Sequence, residues 1–376
     1  MYTNNPSEVD KIRKEAEVLN KLGLSAFFTD DVNLPFKTIG AIGFKNQAQI
    51  HARKYCLGLV NTLPEGTVYE NTKVINIEKD EQNTYKTICE NNAVVKSKYV
   101  VIATHYPIIN FPGLYFLKMY QDKSYLIAVD TKQKLFDGMY ISAEEPVTSF
   151  RTATVDGKRL LLVGGSGHKT GDTSVNINAS YENLENYIKS IYPKAEVLYR
   201  WSTEDCVTLD KIPYIGQFSS LTPNVFVATG YKKWGMTSSF VAANTIFREI
   251  IGNPDKDAEI YRATRMAPIK NAKEFGNILK ESANSLVINR FKNPILSIDD
   301  LKVGEGGVVS YKGDKVGAYK KSEDEIIMVK PFCKHLGCQL SWNSIEKTWD
   351  CPCHGSRYDY EGKVITEPSK KDLDRI

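Results

Sequence analysis

Hydrophobic and polar positions divide the chain into a helical start, a long mixed part and a short β-rich end. Residues 7–22 carry apolar side chains at helical spacing, which predicts a helix with Ser7 as its N-cap and Gly23 just beyond its end. From residue 73 to residue 105, apolar and polar residues alternate as they do in strands. The last of these pieces, residues 99–104, is apolar on both faces and therefore predicts a buried parallel strand.

The middle of the chain continues in short strands. Residues 115–215 have an antiparallel pattern, interrupted by one predicted helix over 179–191. A second buried strand is predicted over 224–230, and it leads into a helix that ends near Gly252, with a stripe of apolar residues along one side. That stripe contains Phe240, Ile246, Phe247 and Ile250.

The composition changes in the last part of the chain. Residues 253–290 are rich in charge and contain two prolines, which predicts a helical wrap and connector. From about residue 293, short strands alternate with glycine turns, as is typical of a small all-β module. We therefore predict two domains, 1–289 and 290–376, and the length of 376 residues agrees, because one core rarely serves a chain of that size.

A glycine-rich string over residues 161–172 resembles a dinucleotide-binding motif at first sight. Counted from Gly165, the third glycine position of G-x-G-x-x-G is occupied by Thr170, and no helix is predicted directly behind it. We interpret the string as a glycine-rich turn between strands. The alternative is a loop that contacts a cofactor or substrate, with His168 and Lys169 as its polar contacts.

Composition and charge narrow the function classes. Hydrophobic content of 42% and charged content of 25% are those of an ordinary globular protein. The net charge of +4 argues against a nucleic-acid partner, and no apolar run reaches membrane-spanning length. With no signal peptide at its start, the chain is expected in the cytoplasm, without a transmembrane segment.

Metal-binding residue types concentrate in one short segment. Residues 333–354 hold four of the seven cysteines and two of the five histidines, as Cys-x-His and, further on, Cys-x-x-His. Two thiolates with two imidazoles suit either zinc or a mixed-ligand [2Fe–2S] cluster. Zinc fingers pair cysteine with cysteine and histidine with histidine, whereas each pair here is mixed, which favours the cluster. One iron then takes two cysteines and the other two histidines, from the set Cys333, Cys351, His335 and His354.

The pattern CxHLGC…CPCHGSRYD closely resembles the Rieske family, in particular the disulfide-bearing type of cytochrome bc complexes. The resemblance implies a disulfide between Cys338 and Cys353, one from each ligand loop. It also implies that the hydroxyls of Ser356 and Tyr358 donate hydrogen bonds to a cluster sulfide and to the Cys333 sulfur. Such donors stabilise the reduced cluster and raise its potential.

The longer part of the chain resembles a second family. Residues 47–59, 99–107, 200–216 and 225–243 are similar, in this order, to segments of FAD-dependent oxidoreductases of the D-amino-acid-oxidase and glycine-oxidase-like superfamily. The resemblance implies an α/β (α+β) domain of the FAD/NAD(P)-binding type, followed by the small all-β Rieske domain. It also implies FAD as cofactor, with contacts from Val74, Ala103, Thr104, Gly230, Trp234, Gly235, Met236 and Thr237.

One part of that family's pattern does not occur in this sequence. The family begins with a strand, a G-x-G-x-x-G turn and a helix that holds the FAD pyrophosphate, and the first hundred residues here contain no such motif. We therefore expect an N-terminally truncated product, a fragment, or one half of a split enzyme. The remaining parallel strands would then have an exposed sheet edge.

Together these patterns predict a redox enzyme in which the cluster transfers electrons for a FAD-dependent oxidation. The expected partners are a small substrate, amine, amino-acid-like or hydroxyl, and a redox protein or small electron acceptor. His51, His105 and Asp205 could face the substrate, although structural roles are favoured, and no catalytic residue is assigned.

Three alternatives remain beside this prediction. One is an electron carrier whose flavin domain is vestigial, and another is structural zinc at the Cys/His segment. A Rieske oxygenase is disfavoured, because it needs a second iron held by two histidines and a carboxylate. Only His51, His105 and His168 are left over for such a site, and they are widely spread in the sequence.

Overall fold

The computed structural model describes residues 1–172, 174–265, 276 and 297–376, and these form two compact units. The first unit comprises Met1–Val68, Lys123–His168 and Asn176–Thr203. The second comprises the described residues of Tyr69–Asp122, Lys169–Val175 and Glu204–Ile376. The predicted connector and the predicted boundary near residue 290 lie largely or wholly outside the described residues.

Five α-helices occur in the described residues: α1 (Pro6–Lys21), α2 (Ala52–Val60), α3 (Ile177–Ile191), α4 (Gly235–Ile250) and α5 (Ala258–Tyr261). The strands are β1 (Tyr2–Thr3), β2 (Ala26–Thr29), β3 (Gly40–Phe44), β4 (Val74–Lys79), β5 (Tyr85–Cys89), β6 (Val94–Ser97), β7 (Val100–Ile102), β8 (Met119–Asp130), β9 (Tyr140–Ile141), β10 (Thr148–Val155), β11 (Lys158–Lys169), β12 (Glu196–Thr208), β13 (Tyr214–Gln217), β14 (Val225–Thr229), β15 (Gly306–Tyr311), β16 (Asp314–Lys320), β17 (Ile326–Val329), β18 (Ser341–Asn343), β19 (Thr348–Asp350), β20 (Arg357–Asp359) and β21 (Val364–Thr366).

Helix α1 confirms the first predicted element but not its cap. The cap is Asn5, whose side-chain oxygen accepts a hydrogen bond from the Ser7 backbone N–H at 3.1 Å. Pro6 then occupies the first turn, where its missing N–H costs nothing, because that group would have no partner within the helix. The prediction of Ser7 as N-cap was therefore wrong by two residues, because Asn and Pro together specify an earlier start.

The first unit contains two sheets. The small one has the order β1-β3-β2 and is covered by α1, whose Ile12 and Ala16 pack against Ala26 and Ile42. The other has the order β12-β8-β11-β10-β9, and α3 contributes to the core beside it. The predicted glycine-rich turn was wrong for most of the string, because three of its four glycines lie inside β11, which is paired with β10 as far as Gly165.

In the second unit, strands β7 and β14 are parallel neighbours in a sheet of order β13-β14-β7. All five residues of β14 are buried, as predicted. Strand β7 was wrongly predicted to be buried on both faces. It lies at the sheet edge, and its Val101 is 46% exposed. Another sheet of this unit has the order β4-β5-β6.

Helix α4 follows β14 and packs on its sheet through a narrow stripe. Ala242, Thr245 and Ile246 are buried, and Phe226 and Ile215 belong to the same hydrophobic cluster. The predicted stripe was wrong in part, since the side chain of Phe240 is 76% exposed and Phe247 is exposed as well. The helix therefore approaches the sheet through these three residues rather than through its phenylalanines.

The C-terminal part of the second unit is all β, as the composition predicted. One sheet has the order β15-β16-β17 and the other β18-β19-β20-β21. Trp349 is completely buried and packs with its neighbour Trp342 at a ring distance of 4.7 Å. These sheets hold two loops in place, one after β17 and one between β19 and β20, and both predicted ligand pairs lie in those loops.

Candidate functional site

The two loops have the same backbone design. In the first, the Cys333 N–H donates to the Cys338 carbonyl at 2.8 Å, and Gly337 N–H donates back to the Cys333 carbonyl at 2.9 Å. In the second, Cys351 N–H donates to the Ser356 carbonyl at 2.8 Å, and Gly355 N–H donates to the Cys351 carbonyl at 3.0 Å.

Each of the two turns contains a glycine four residues after its first cysteine. Gly337 has φ +82° and Gly355 has φ +78°, in the left-handed region that favours glycine. The repeated Cys-x-x-x-Gly spacing was visible in the sequence, but sequence analysis did not use it.

A disulfide between Cys338 and Cys353 joins the two loops, across 15 positions of sequence. Closing a loop of that length stabilises the fold by about 3 kcal/mol, mainly by restricting the unfolded chain. The Sγ atoms of Cys338, Cys351 and Cys353 lie within 4.8 Å of one another, but the two bridged cysteines have no thiolate to offer a metal. Cys333 and Cys351 remain, both free and both buried.

The two histidines of the loops face each other. The rings of His335 and His354 are perpendicular, and their centroids are 5.0 Å apart. His335 Nε2 lies 2.8 Å from Asn110 Oδ1, so the ring donates and the amide oxygen accepts. Among the residues that the structure describes, Nδ1 of His335 and both ring nitrogens of His354 are buried without a hydrogen-bond partner.

Those nitrogens test whether the site suits a metal centre. A buried polar atom without a partner destabilises a fold by about 1–3 kcal/mol, so it normally finds one. Here the unpartnered nitrogens belong to the same two loops as two free cysteines. Soft sulfur and imidazole donors in equal number are the ligand set of a mixed-ligand [2Fe–2S] cluster. The donor set therefore fits such a cluster.

Electrostatics keep the donors in the protonation states that metals require. Burial and, to a smaller extent, the charge of Lys370 together lower the pKa of His335 to about 4. Burial, followed by the charges of His335 and Lys169, lowers the pKa of His354 to about 3, and the nearby Phe116 carbonyl offsets this only in part. Both imidazoles are consequently neutral near pH 7.

The cysteine thiols also influence each other. The Cys351 thiol faces the Cys333 sulfur and, with the hydroxyls of Tyr358 and Ser356, lowers the pKa of Cys333 to about 6. The same contact and burial raise the pKa of Cys351. One thiolate therefore forms easily, and a cation is needed before the second one does.

Both hydroxyls named by the sequence lie close to the free cysteines. Tyr358 Oη donates to Cys333 Sγ at 3.3 Å and accepts from the Lys334 N–H at 3.0 Å. Ser356 Oγ accepts from the Ser369 N–H at 3.0 Å, so its own proton is directed elsewhere. Two fixed donors beside sulfur favour extra negative charge there.

A buried ion cluster supports the second loop, and sequence analysis missed it. Arg357 Nη1 lies 3.1 Å from Glu204 Oε1, and its Nε lies 3.1 Å from Asp350 Oδ1. Its Nη2 contacts Glu346. One guanidinium thus contacts three carboxylates, which come from β12, from β19 and from the turn before β19, and no local spacing in the sequence indicates this role.

Most of the predicted FAD contacts come together at one end of a parallel strand pair. Ala103 and Thr104 follow β7, Gly230 follows β14, and these strands are parallel neighbours. Helix α4 starts at Gly235 and has no side-chain cap, so the N–H groups of its first turn, including those of Met236 and Thr237, have no partner within the helix. Trp234, directly before the helix, is 67% exposed. Val74 lies apart from this group, at the start of β4 in a different sheet.

The other candidate polar residues each contact another protein group. His51 caps α2 and accepts from the Lys54 N–H at 3.4 Å. His105 lies with its Nδ1 3.8 Å from Cys206 Sγ, and burial lowers its pKa. Asp205 pairs with Lys233 at 3.2 Å. His168 Nε2 lies 2.8 Å from the Tyr125 hydroxyl, inside the first unit.

Comparison with known proteins identifies the family. The profile of FAD dependent oxidoreductases (DAO) matches residues 1–248, and that of the Rieske [2Fe-2S] domain matches residues 291–376. The chain belongs to the FAD dependent oxidoreductase family and carries a Rieske domain. The Rieske domain implies a [2Fe–2S] cluster and the DAO domain implies FAD, so both predicted cofactors, the enzyme class and the fold class are confirmed.

Curated relatives match either the whole chain or about a quarter of it. The Bacillus subtilis protein YhfW, named as a Rieske 2Fe-2S iron–sulfur protein, is 35% identical over 379 residues, which cover 100% of this chain and 74% of YhfW. The cytochrome b6-f complex iron-sulfur subunit 1 from a Nostoc species is 34% identical over 96 residues, which cover 25% of this chain and 50% of that subunit.

Solved structures resemble the chain in fold. Glycine oxidase from Geobacillus kaustophilus has a TM-score of 0.59 at 18% identity, and the match covers 71% of this chain and 74% of that one. L-proline dehydrogenase from P. horikoshii has a TM-score of 0.58 at 17% identity, with 70% and 75% covered. None of the helices in residues 1–172, 174–265 and 297–376 has the length and apolar content needed to cross a lipid bilayer.

Proposed function

We propose that the chain is an enzyme with two redox centres, which oxidises a small amine, amino-acid-like or hydroxyl substrate and transfers the electrons through a Rieske cluster. The observation that carries this proposal is the set of buried, unpartnered imidazole nitrogens on His335 and His354, beside the free cysteines 333 and 351. We assign Cys333 and Cys351 to one iron and His335 and His354 to the other. We also propose a division of the chain into residues 1–289 and 290–376.

The protein contributes binding, orientation and charge to this chemistry. Bound FAD supplies a two-electron acceptor for the substrate, and the cluster supplies a one-electron carrier behind it. The disulfide Cys338–Cys353 keeps the two loops at a fixed separation. Tyr358 and Ser356 direct hydroxyl protons towards the cysteine ligands and so raise the potential of the centre.

The start of α4 is the proposed anchor for the flavin ring. Its uncapped N–H groups and the positive end of its dipole suit a ring edge that becomes negative on reduction. Ala103, Thr104, Gly230 and the residues from Trp234 to Thr237 are the proposed contacts at this edge, and Val74 is the proposed contact from β4. None of these residues is assigned a proton-transfer role.

The proposed substrate class rests on similarity in fold. The structures with a similar fold include a glycine oxidase and an L-proline dehydrogenase, whose names both refer to small amino acids. A small amine or amino acid is therefore the first substrate class to test, and hydroxy acids the second. The final acceptor is proposed to be a redox protein or a small electron acceptor.

An anaerobic titration tests the proposal. The purified protein is supplied with FAD, mixed in turn with small amino acids, amines and hydroxy acids, and followed by the EPR signal of the reduced cluster. We expect one class to produce the signal without added reductant, and the Cys351→Ser variant to give none. If dithionite reduces the cluster but no substrate does so in the presence of FAD, the enzyme proposal is contradicted and the electron-carrier alternative is favoured.

A further inference from the structure

The two histidines are covered by a segment from the longer, flavoprotein part of the second unit. In that segment, residues 106–116, Asn110 Oδ1 accepts from His335 Nε2 at 2.8 Å. The Tyr106 ring meets His335 edge-on at 6.2 Å, and the Phe116 ring meets His354 edge-on at 6.0 Å. Each imidazole therefore has an aromatic neighbour from this segment, and one also has a hydrogen-bond acceptor.

The contact around this segment is closely packed, as two glycines demonstrate. A Cβ atom at Gly355 would lie 2.1 Å from Gln121 Oε1, and one at Gly171 would lie 2.3 Å from Pro352 Cα. Real Cβ atoms essentially never approach so closely. Lys370 Nζ also donates to the Ile75 carbonyl at 2.6 Å. The second ligand loop is thus held against the flavoprotein part by the close approach of Gly355 to the Gln121 side chain and of Pro352 to Gly171.

The hydrogen bond at Asn110 defines which nitrogen of His335 is available. Because a carbonyl oxygen only accepts, Nε2 carries the ring proton and Nδ1 keeps its lone pair. That Nδ1 is the buried nitrogen without a partner. Among metal-bound histidines, such an acceptor on the second nitrogen fixes the ring orientation and makes the ligating nitrogen more basic.

We propose that Asn110 is a positioning residue for the cluster. Its side-chain oxygen accepts the hydrogen bond of His335 Nε2, fixes the orientation of the ring and lowers the reduction potential of the centre. This inference rests on the proposed function. A more electron-donating imidazole stabilises the oxidised iron, so the Asn110 contact opposes the hydroxyls of Tyr358 and Ser356, which raise the potential.

The arrangement also concerns the ring proton of His335. With Asn110 as its acceptor, Nε2 would keep this proton when a bound cluster gained one electron from the reduced flavin of the proposed reaction, and no bond to hydrogen would break at His335. An external acceptor cannot hydrogen-bond to the same nitrogen, because Asn110 already occupies it.

Two isosteric substitutions test the inference in opposite directions. Asn110→Leu removes the acceptor, and Asn110→Asp replaces it by a negatively charged one. Their midpoint potentials are measured by EPR-monitored redox titration of the cluster-loaded full chain. We expect an upward shift for Asn110→Leu and a larger downward shift for Asn110→Asp. Both variants should fold, since the side chain is only partly buried and the Asn110 carbonyl, which accepts from Leu114 N–H at 2.8 Å, is unchanged.

The matched control uses the same substitutions at Asn91, in the exposed turn between β5 and β6. Asn91→Leu and Asn91→Asp should leave the potential where it is in the unmodified protein. Unchanged potentials in both Asn110 variants, shifts of one sign in both, or equal shifts at Asn91 would overturn the inference. An unmodified protein that holds no [2Fe–2S] cluster would instead overturn the proposed function.

Discussion

Cys351→Ser is expected to abolish cluster binding, with iron and acid-labile sulfide falling to background. A serine hydroxyl is a poor ligand for iron–sulfur clusters, which are held by thiolates, and Cys333 alone cannot hold its iron. The remaining cysteines cannot substitute, because Cys338 and Cys353 are bonded to each other. The measurement is the iron and sulfide content of the protein purified without oxygen, together with its visible absorbance.

The matched control is Cys206→Ser. Cys206 is as deeply buried as Cys351, but its sulfur faces His105 Nδ1, where a hydroxyl can take its place. We expect this variant to keep its full complement of cluster. A Cys351→Ser protein with normal iron and sulfide, or equal losses in both variants, would contradict the assignment of Cys351 as a ligand.

Arg357→Leu is expected to cause a large loss of stability in the C-terminal module, because Arg357 is the centre of a buried ion cluster. The change removes the guanidinium shared by Glu204, Glu346 and Asp350 and leaves those carboxylates without it. Removing one member of a buried ion pair costs about 3–5 kcal/mol, because the other charge stays desolvated. The urea concentration at which cluster absorbance is lost should therefore fall strongly.

Arg375→Leu provides the comparison for this result. Arg375 also pairs with a glutamate, Glu361, at 3.4 Å, but its side chain is 57% exposed, against 9% for Arg357. Exposed pairs contribute only about 0–1 kcal/mol, so this variant should unfold almost as the unmodified protein does. Equal urea midpoints for the two variants would mean that the buried cluster around Arg357 does not stabilise the module.

Local sequence patterns correctly predicted the elements whose structure depends mainly on their own residue types. The strand 225–229 is apolar except for Thr229 and is buried throughout, and the spacing of cysteine and histidine was sufficient to identify the Rieske domain. The Cys338–Cys353 disulfide followed from the family resemblance and is present. In these places the residue types leave few alternatives.

Predictions failed where a distant segment decides the environment. Val101 and Phe240 have the apolar character of core residues, yet both are exposed, since exposure depends on which strand or helix lies alongside. Asn110 and Arg357 were missed for the same reason. Their partners His335 and Glu204 are separated from them by 225 and by 153 positions, and no periodicity within one element reports such contacts.

The glycine-rich string shows a third kind of failure. Its glycines suggested a turn, but Gly165 lies in β11, where a Cβ atom would approach the Val147 carbonyl to 2.7 Å. Glycine is needed at this position because two backbones come close together. From a single sequence, a glycine of this kind cannot be distinguished from a glycine that forms a turn.

The central claim is that Cys333, Cys351, His335 and His354 together hold a [2Fe–2S] cluster. Its most direct test is pulsed EPR of the dithionite-reduced protein in which only the histidines carry ¹⁵N. The account predicts a Rieske-type spectrum with couplings to two histidine nitrogens, one of which disappears in His354→Cys. A spectrum without histidine couplings, or a colourless protein with bound zinc and no acid-labile sulfide, would contradict it.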